Sequence, residues 1–122
     1  MLNLDTHMLV RGLEDDVTPR ERSLLTDEPW SISAIVLWEL AKLVQMRRLV
    51  MDLGSPEVAR ALSSIHVWPI DLEIARASTA LDFRSDSAHE IIAATSVVHS
   101  VPLLTRDKRI RRSKMVPLAR VR

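Results

Sequence analysis

Three acids in this chain stand where apolar runs end or are interrupted: Asp5 after "MLNL", Glu39 within "IVLWELAKLV", and Asp107 after "PLLTR". Each alone is ordinary, and a glutamate inside an apolar helix is most simply a solvated side chain. Brought onto one rim of a fold, three carboxylates repel one another, and a divalent cation between them relieves the repulsion. Oxygen-only donors select a hard ion, Mg²⁺ or Mn²⁺, with water completing its shell. Such an ion activates a bound water and stabilises charge on a phosphoryl oxygen. The chemistry to look for is therefore metal-assisted hydrolysis of a phosphate ester.

Other chemistries are poorly provided for. There is no cysteine, which removes disulfides, thiolate metal sites and a cysteine nucleophile. Only Gly12 and Gly54 are present, so a glycine-rich phosphate loop is absent. The four histidines (His7, His66, His89 and His99) lack close metal-ligand spacing, and no nucleophile-elbow pattern occurs. Aromatic residues make up 3%, too few for a surface that stacks single-stranded bases, and Trp30 and Trp38 read as core or dimer-interface residues. The net charge is only +1, but from Arg106 to Arg122 eight basic residues face a single acid. A basic stretch beside an acidic body suits a polyanionic partner; a merely solubilising stretch is the equal alternative.

The elements that must position these acids follow from periodicity and caps. In 122 residues with 47% hydrophobic content, one domain with a real core is expected. "MLNL" reads as a buried first strand, with Asp5 at its carboxyl end, and "THMLVRGLE" as helical. Thr18-Pro19-x-Glu21 opens a short helix to about Asp27. "WSIS" reads as a second strand, and "AIVLWELAKLVQMRRLV" as a helix with Val36, Leu37, Leu40, Ala41 and Val44 on its apolar stripe. Ser55-Pro56 starts another helix, "HVWPID" is a third strand, and "DLEIARASTALD" is helical. A helix over "SAHEIIAATSVVHS" turns Ile91, Ile92, Thr95 and Val98 inward, and "VPLLTRD" is a fourth strand ending in a polar turn. "MVPLA" is a short edge strand. This alternation predicts an α/β class domain: an α/β/α sandwich around a mostly parallel sheet of four to five strands. Sites in such sheets lie beyond the carboxyl ends of the strands, where Asp5 and Asp107 both fall.

With those residues in place, the chain resembles PIN-domain ribonucleases, specifically the VapC toxins of bacterial toxin–antitoxin pairs. The resemblance rests on "LDTHMLV" at 4–10, "SISAIVLWELAKLVQMRRLVM" at 31–51, "SDSAHEIIAATS" at 85–96 and "PLLTRDKRI" at 102–110, in that order, and spans nearly the whole chain as a single PIN domain, 1–122. It implies an endoribonuclease dependent on Mg²⁺ or Mn²⁺, held in check by a small antitoxin protein and often a homodimer. Asp5 and Glu39 match the family's first two acids, and Asp107 falls where its last acid lies. Thr6 and Thr105 match small hydroxyl residues near the metal. Arg106, Lys108 and Arg109 are the expected contacts to RNA phosphates.

One position departs from the family. Where the pattern reads Asp-Pro-x-Asp, this chain has Asp86-Ser87-Ala88-His89, so His89 replaces the acid used at the metal. Three readings stand open. Asp86, one turn back on the same helix face, supplies the carboxylate; or neutral His89 ligates Mn²⁺, which imidazole suits better than Mg²⁺; or the site is weakened, leaving a module that binds RNA or the antitoxin. A simpler role for Asp86 is helix capping, needing no metal. A small-molecule phosphatase of the same α/β class is a further alternative. The chain has no apolar run long enough to cross a bilayer and no signal-peptide layout, so a cytoplasmic location is expected.

Overall fold

The computed structural model describes residues 1–120; Arg122, the last of the basic stretch, lies outside them. Strand β1 (Leu2–Leu4) leads into helices α1 (Thr6–Leu13) and α2 (Pro19–Asp27). Strand β2 (Trp30–Ser33) is followed by α3 (Ala34–Gln45) and α4 (Pro56–Ser63). Strand β3 (His66–Trp68) precedes α5 (Leu72–Ser78) and α6 (Ser87–His99), and β4 (Leu103–Leu104) precedes the one-turn α7 (Lys108–Arg111). The four strands form one sheet in the order β3-β2-β1-β4, and every pairing is parallel. This is the layered α/β domain that the alternation of elements predicted, with four strands. The fifth shrinks to a single bridge, where Leu118 pairs with Leu103.

The helices begin where the sequence places capping side chains. Thr18 accepts from the Glu21 N–H while the Glu21 carboxylate accepts from the Thr18 N–H, closing a reciprocal capping box. Ser55 caps α4 with Pro56 at its first position, where the missing N–H leaves no bond unmade. Helix α3 stops at Gln45, short of the reading to Val50, because Arg47 turns into the left-handed region at φ 58°.

The core joins strands β1, β2 and β4 to α6 and to the inner sides of α1, α2, α3 and α7. Leu4, Ile32, Leu103 and Ile92 are fully enclosed. Of the α6 residues expected inward, Ile92 and Thr95 are buried, whereas Ile91 and Val98 are only half-buried. Ala88, Ala93, Ala94 and Ser96 are buried as well, since α6 packs against α3, α5 and β2 at once. Such small side chains let neighbouring elements approach on several sides. Asn3, buried in β1, ties the strand to this helix by donating to the Ile92 carbonyl (3.2 Å) and the Ser96 hydroxyl (2.9 Å). Trp30 is half-buried, its indole N–H donating to the Leu25 carbonyl at 2.8 Å. A Cβ on Gly12 would stand 3.0 Å from that ring, so a side chain there would displace it.

Helix α3 departs from its expected stripe. Val36 and Leu40 are buried, Val44 is half-buried, and Leu37 and Ala41 face solvent beside an exposed Trp38. The apolar residues of α3 therefore cover more of its circumference than the described chain encloses.

Candidate active site

Parallel register brings the sequence-distant acids together. Leu4 pairs with Leu104 across β1 and β4, so the next residues, Asp5 and Thr105, leave the sheet side by side. The Thr105 hydroxyl donates to Asp5 Oδ2 at 2.5 Å. It also accepts from the Asp107 N–H at 3.0 Å, linking the two acids through one side chain. Asp5 Oδ1 accepts from the Met8 N–H at 2.9 Å and thereby caps α1. Asp107 Oδ1 accepts from the Ile110 N–H at 3.0 Å and caps α7. Residues 105–107 leave the strand as the expected polar turn, and that helix, which the sequence reading did not place, follows it. A three-residue offset from Asp107 to an apolar Ile110 was its only trace in the sequence.

Asp5, Asp107, His89 and Arg106 line one open cleft of about 290 Å³, together with His7, Met8 and Arg11. Glu39 and Asp86 do not line it; Asp86 is hydrogen-bonded to His89 on its wall, and Glu39 to Thr6, the chain neighbour of Asp5. Glu39 Oε1 accepts from the Thr6 hydroxyl at 2.5 Å, and Thr6 directly follows Asp5. Asp86 is exposed and caps α6 through Oδ1, accepting from the His89 N–H at 2.9 Å. Its other oxygen, Oδ2, lies 3.0 Å from His89 Nδ1, and Asp107 Oδ2 lies 3.9 Å from the same nitrogen. The Ser85 hydroxyl approaches that nitrogen at 3.3 Å. The imidazole thus sits between two carboxylates.

The flanking basics are arranged unevenly. Arg106 is clamped by Glu21, with Nε 2.9 Å from one carboxylate oxygen and Nη2 2.6 Å from the other. This charge-assisted fork lowers the Glu21 pKa from 4.5 to about 2. The same hydrogen bonds raise the pKa of Arg106. Arg109 donates to the Arg84 carbonyl at 2.9 Å, and Lys108 is exposed on α7. Glu21 was legible in the sequence only as a capping residue. Its second partner, Arg106, is 85 residues away and left no sequence signal.

A model of the PIN domain matches residues 3–114. The chain belongs to the PIN-domain family. Solved structures of similar fold include VapBC2 of Rickettsia felis bound to a DNA fragment from their promoter, at 16% identity, with 98% of each chain covered and a TM-score of 0.72. DNA-bound VapBC of Salmonella typhimurium is 17% identical over 97% of this chain and 96% of that one, with a TM-score of 0.72. A toxin–antitoxin complex from Klebsiella pneumoniae is 23% identical over 89% of each chain, with a TM-score of 0.68. No match was found among curated proteins.

The PIN family implies a divalent metal, and the donor chemistry here fits one in a restricted way. Asp5 is buried and, among the described residues, forms no salt bridge, its carboxylate oxygens accepting only from the Met8 N–H and the Thr105 hydroxyl. A buried carboxylate that no salt bridge neutralises is suited to an added cation. Among the described residues, no three His, Asp or Glu side chains are gathered to hold an ion by themselves. Two carboxylates plus water is a common protein shell for Mg²⁺, and Asp5 and Asp107 are the two carboxylates that line this cleft. No helix among the described residues is long and apolar enough to cross a membrane.

Proposed function

We propose that this PIN domain is the toxin of a VapBC-type pair, hydrolysing RNA phosphodiester bonds with Mg²⁺ or Mn²⁺ under the control of a small antitoxin. The observation that carries the reading is the cleft itself, where a buried Asp5 that makes no salt bridge among the described residues stands with Asp107 at the carboxyl edge of a parallel sheet. Asp5 and Asp107 would hold the ion, with Glu39 and Asp86 reaching it through water. Once bound, the ion supplies an activated water and charge stabilisation at the phosphoryl group. Thr105 orients Asp5, and Thr6 orients Glu39. Lys108 and Arg109 face solvent on α7, where a phosphate backbone would pass. Arg106 joins them only by leaving Glu21. The exposed apolar side of α3, with Leu37 and Trp38, supports the homodimer reading.

A second reading has its own observation. His89 places a nitrogen 3.0 Å from Asp86 and 3.9 Å from Asp107, so it competes with an ion for both acids. That favours a PIN domain of impaired catalysis that binds RNA or antitoxin. The test is incubation of pure, antitoxin-free protein with structured RNA in Mn²⁺, in Mg²⁺ and in EDTA, alongside calorimetric titration of Mn²⁺. Cleavage in Mn²⁺ that EDTA abolishes supports the nuclease. RNA left intact by the natural protein, but cut by the His89→Asp variant, assigns the impaired reading.

A further inference from the structure

A second cavity of about 330 Å³ lies across the Arg106–Glu21 pair from the acid cleft. Arg20 from the first turn of α2, Arg111 from α7, and Arg120 all line it. None of the three makes a salt bridge among the described residues. Among the described residues the single acid on the wall is Glu21, already neutralised by the fork from Arg106. Three cations around one cavity repel each other, and an anion between them reverses the sign of that interaction. Guanidinium groups present planar forks that match phosphate oxygens. The N-terminus of α2 contributes little, because its capping box already occupies the Thr18 and Glu21 N–H groups.

The cavity is also tied mechanically to the cleft. Arg111 Nη1 donates to the Thr105 carbonyl at 3.2 Å, and the hydroxyl of Thr105 donates to Asp5. A strand whose reacting phosphate sits at Asp5 and Asp107 therefore has a basic cavity within reach of a neighbouring phosphate. We infer that Arg20, Arg111 and Arg120 form a phosphate-binding subsite, occupied by a backbone phosphate of the RNA strand that enters the acid cleft. The inference rests on the proposed RNA substrate but not on catalysis.

Binding in EDTA tests it apart from cleavage. A fluorescent single-stranded oligoribonucleotide is titrated with the full chain at several salt concentrations. The comparison is with an Arg20→Gln, Arg111→Gln, Arg120→Gln triple variant and with a double variant that keeps Arg111 and its bond to Thr105. Arg60→Gln on α4, which lines neither cavity, is the control. Removing the subsite is expected to weaken binding on the order of tenfold and to reduce the salt slope by about 0.7 for each phosphate that is no longer neutralised. Inorganic phosphate should compete only weakly if the source is the RNA backbone; full competition at low concentration would point to a free phosphate ion and overturn the RNA assignment. Affinity and slope in the double and triple variants equal to those of the natural chain would overturn the subsite itself, as would absence of RNA binding by the natural chain. An equal, arginine-dependent affinity for polyglutamate would replace RNA with an acidic protein partner. If arginine-dependent binding persists while no metal supports cleavage, the subsite stands and the nuclease proposal falls.

Discussion

Replacing Glu21 with Gln separates the charge of this residue from its capping role. The amide oxygen can still accept from the Thr18 N–H, so α2 keeps its start, but the fork to Arg106 loses its ionic character. The fall of the Glu21 pKa from 4.5 to about 2, taken at face value, corresponds to about 3 kcal/mol of stability. Arg106 is 43% exposed against 14% for Glu21, and solvent screening with side-chain ordering reduces the pair to about 1 kcal/mol. For a domain of this size that is a loss of about 4 °C in melting temperature at pH 7. The sign of the pH dependence follows from the depressed pKa. The stabilisation is fully present above the unfolded value of 4.5 and is lost as pH falls toward about 2. Urea midpoints for natural chain and variant should therefore differ most at neutral pH and converge on acidification, the gap shrinking by more than half near about pH 3. The freed Arg106 should steepen the salt dependence of RNA binding by about 0.7. Equal midpoints at pH 7, or a gap that persists unchanged in acid, would refute the pairing as a source of stability.

Asp107→Asn should leave the melting temperature within about 2 °C of the natural chain, because asparagine is also a good N-cap, while abolishing metal-dependent RNA cleavage; a gel assay with Mn²⁺ checks it. Thr105→Val removes the hydroxyl that serves both Asp5 and Asp107, leaves a buried carboxylate short of a donor, and should cost about 1–3 kcal/mol by urea denaturation, with weaker Mn²⁺ binding by calorimetry. Ile92→Ala should cost about 2–5 kcal/mol in the same denaturation experiment, since Ile92 is fully enclosed between α6 and the sheet.

The elements were legible in the sequence where a local signal starts them, as with Thr18-Pro19-x-Glu21 and Ser55-Pro56. They were less legible where a distant contact decides. The stripe on α3 misjudged Leu37 and Ala41, because hydrophobic period reports which residues are apolar and not which side of the helix is covered. Likewise Ala93, Ala94 and Ser96 are enclosed by α6's several neighbours, which small side chains do not announce. At the site, the positions of Asp5 and Asp107 on one rim followed from strand polarity alone. The clamp of Glu21 on Arg106 and the placement of His89 between Asp86 and Asp107 depend on tertiary distances, and no spacing in the chain encodes them.

Capping and metal holding look like competing explanations for the acids, but the geometry leaves room for both at once. In a parallel sheet the chain leaves each strand at the carboxyl edge and enters a helix, so an N-cap residue at that junction stands on the rim where sites form. Asp5 and Asp107 each use Oδ1 for the cap, at 2.9 Å and 3.0 Å. That bond fixes the carboxylate plane and leaves Oδ2 directed elsewhere: Asp5 Oδ2 accepts from Thr105, and Asp107 Oδ2 stands 3.9 Å from His89. Asp86, which follows α5 and not a strand, also caps its helix through Oδ1, but its Oδ2 is drawn 3.0 Å from His89 Nδ1. In the proposed site the histidine would therefore change more than one ligand position, because its Nδ1 also engages the second oxygen of Asp86. Restoring a carboxylate at residue 89 removes a donor and frees Asp86 together. If His89→Asp strengthens Mn²⁺ binding while Asp86→Asn in the natural chain leaves that binding unchanged, the histidine is the element that limits the site. Weakened Mn²⁺ binding by Asp86→Asn would instead show that Asp86 already serves the ion despite its pairing.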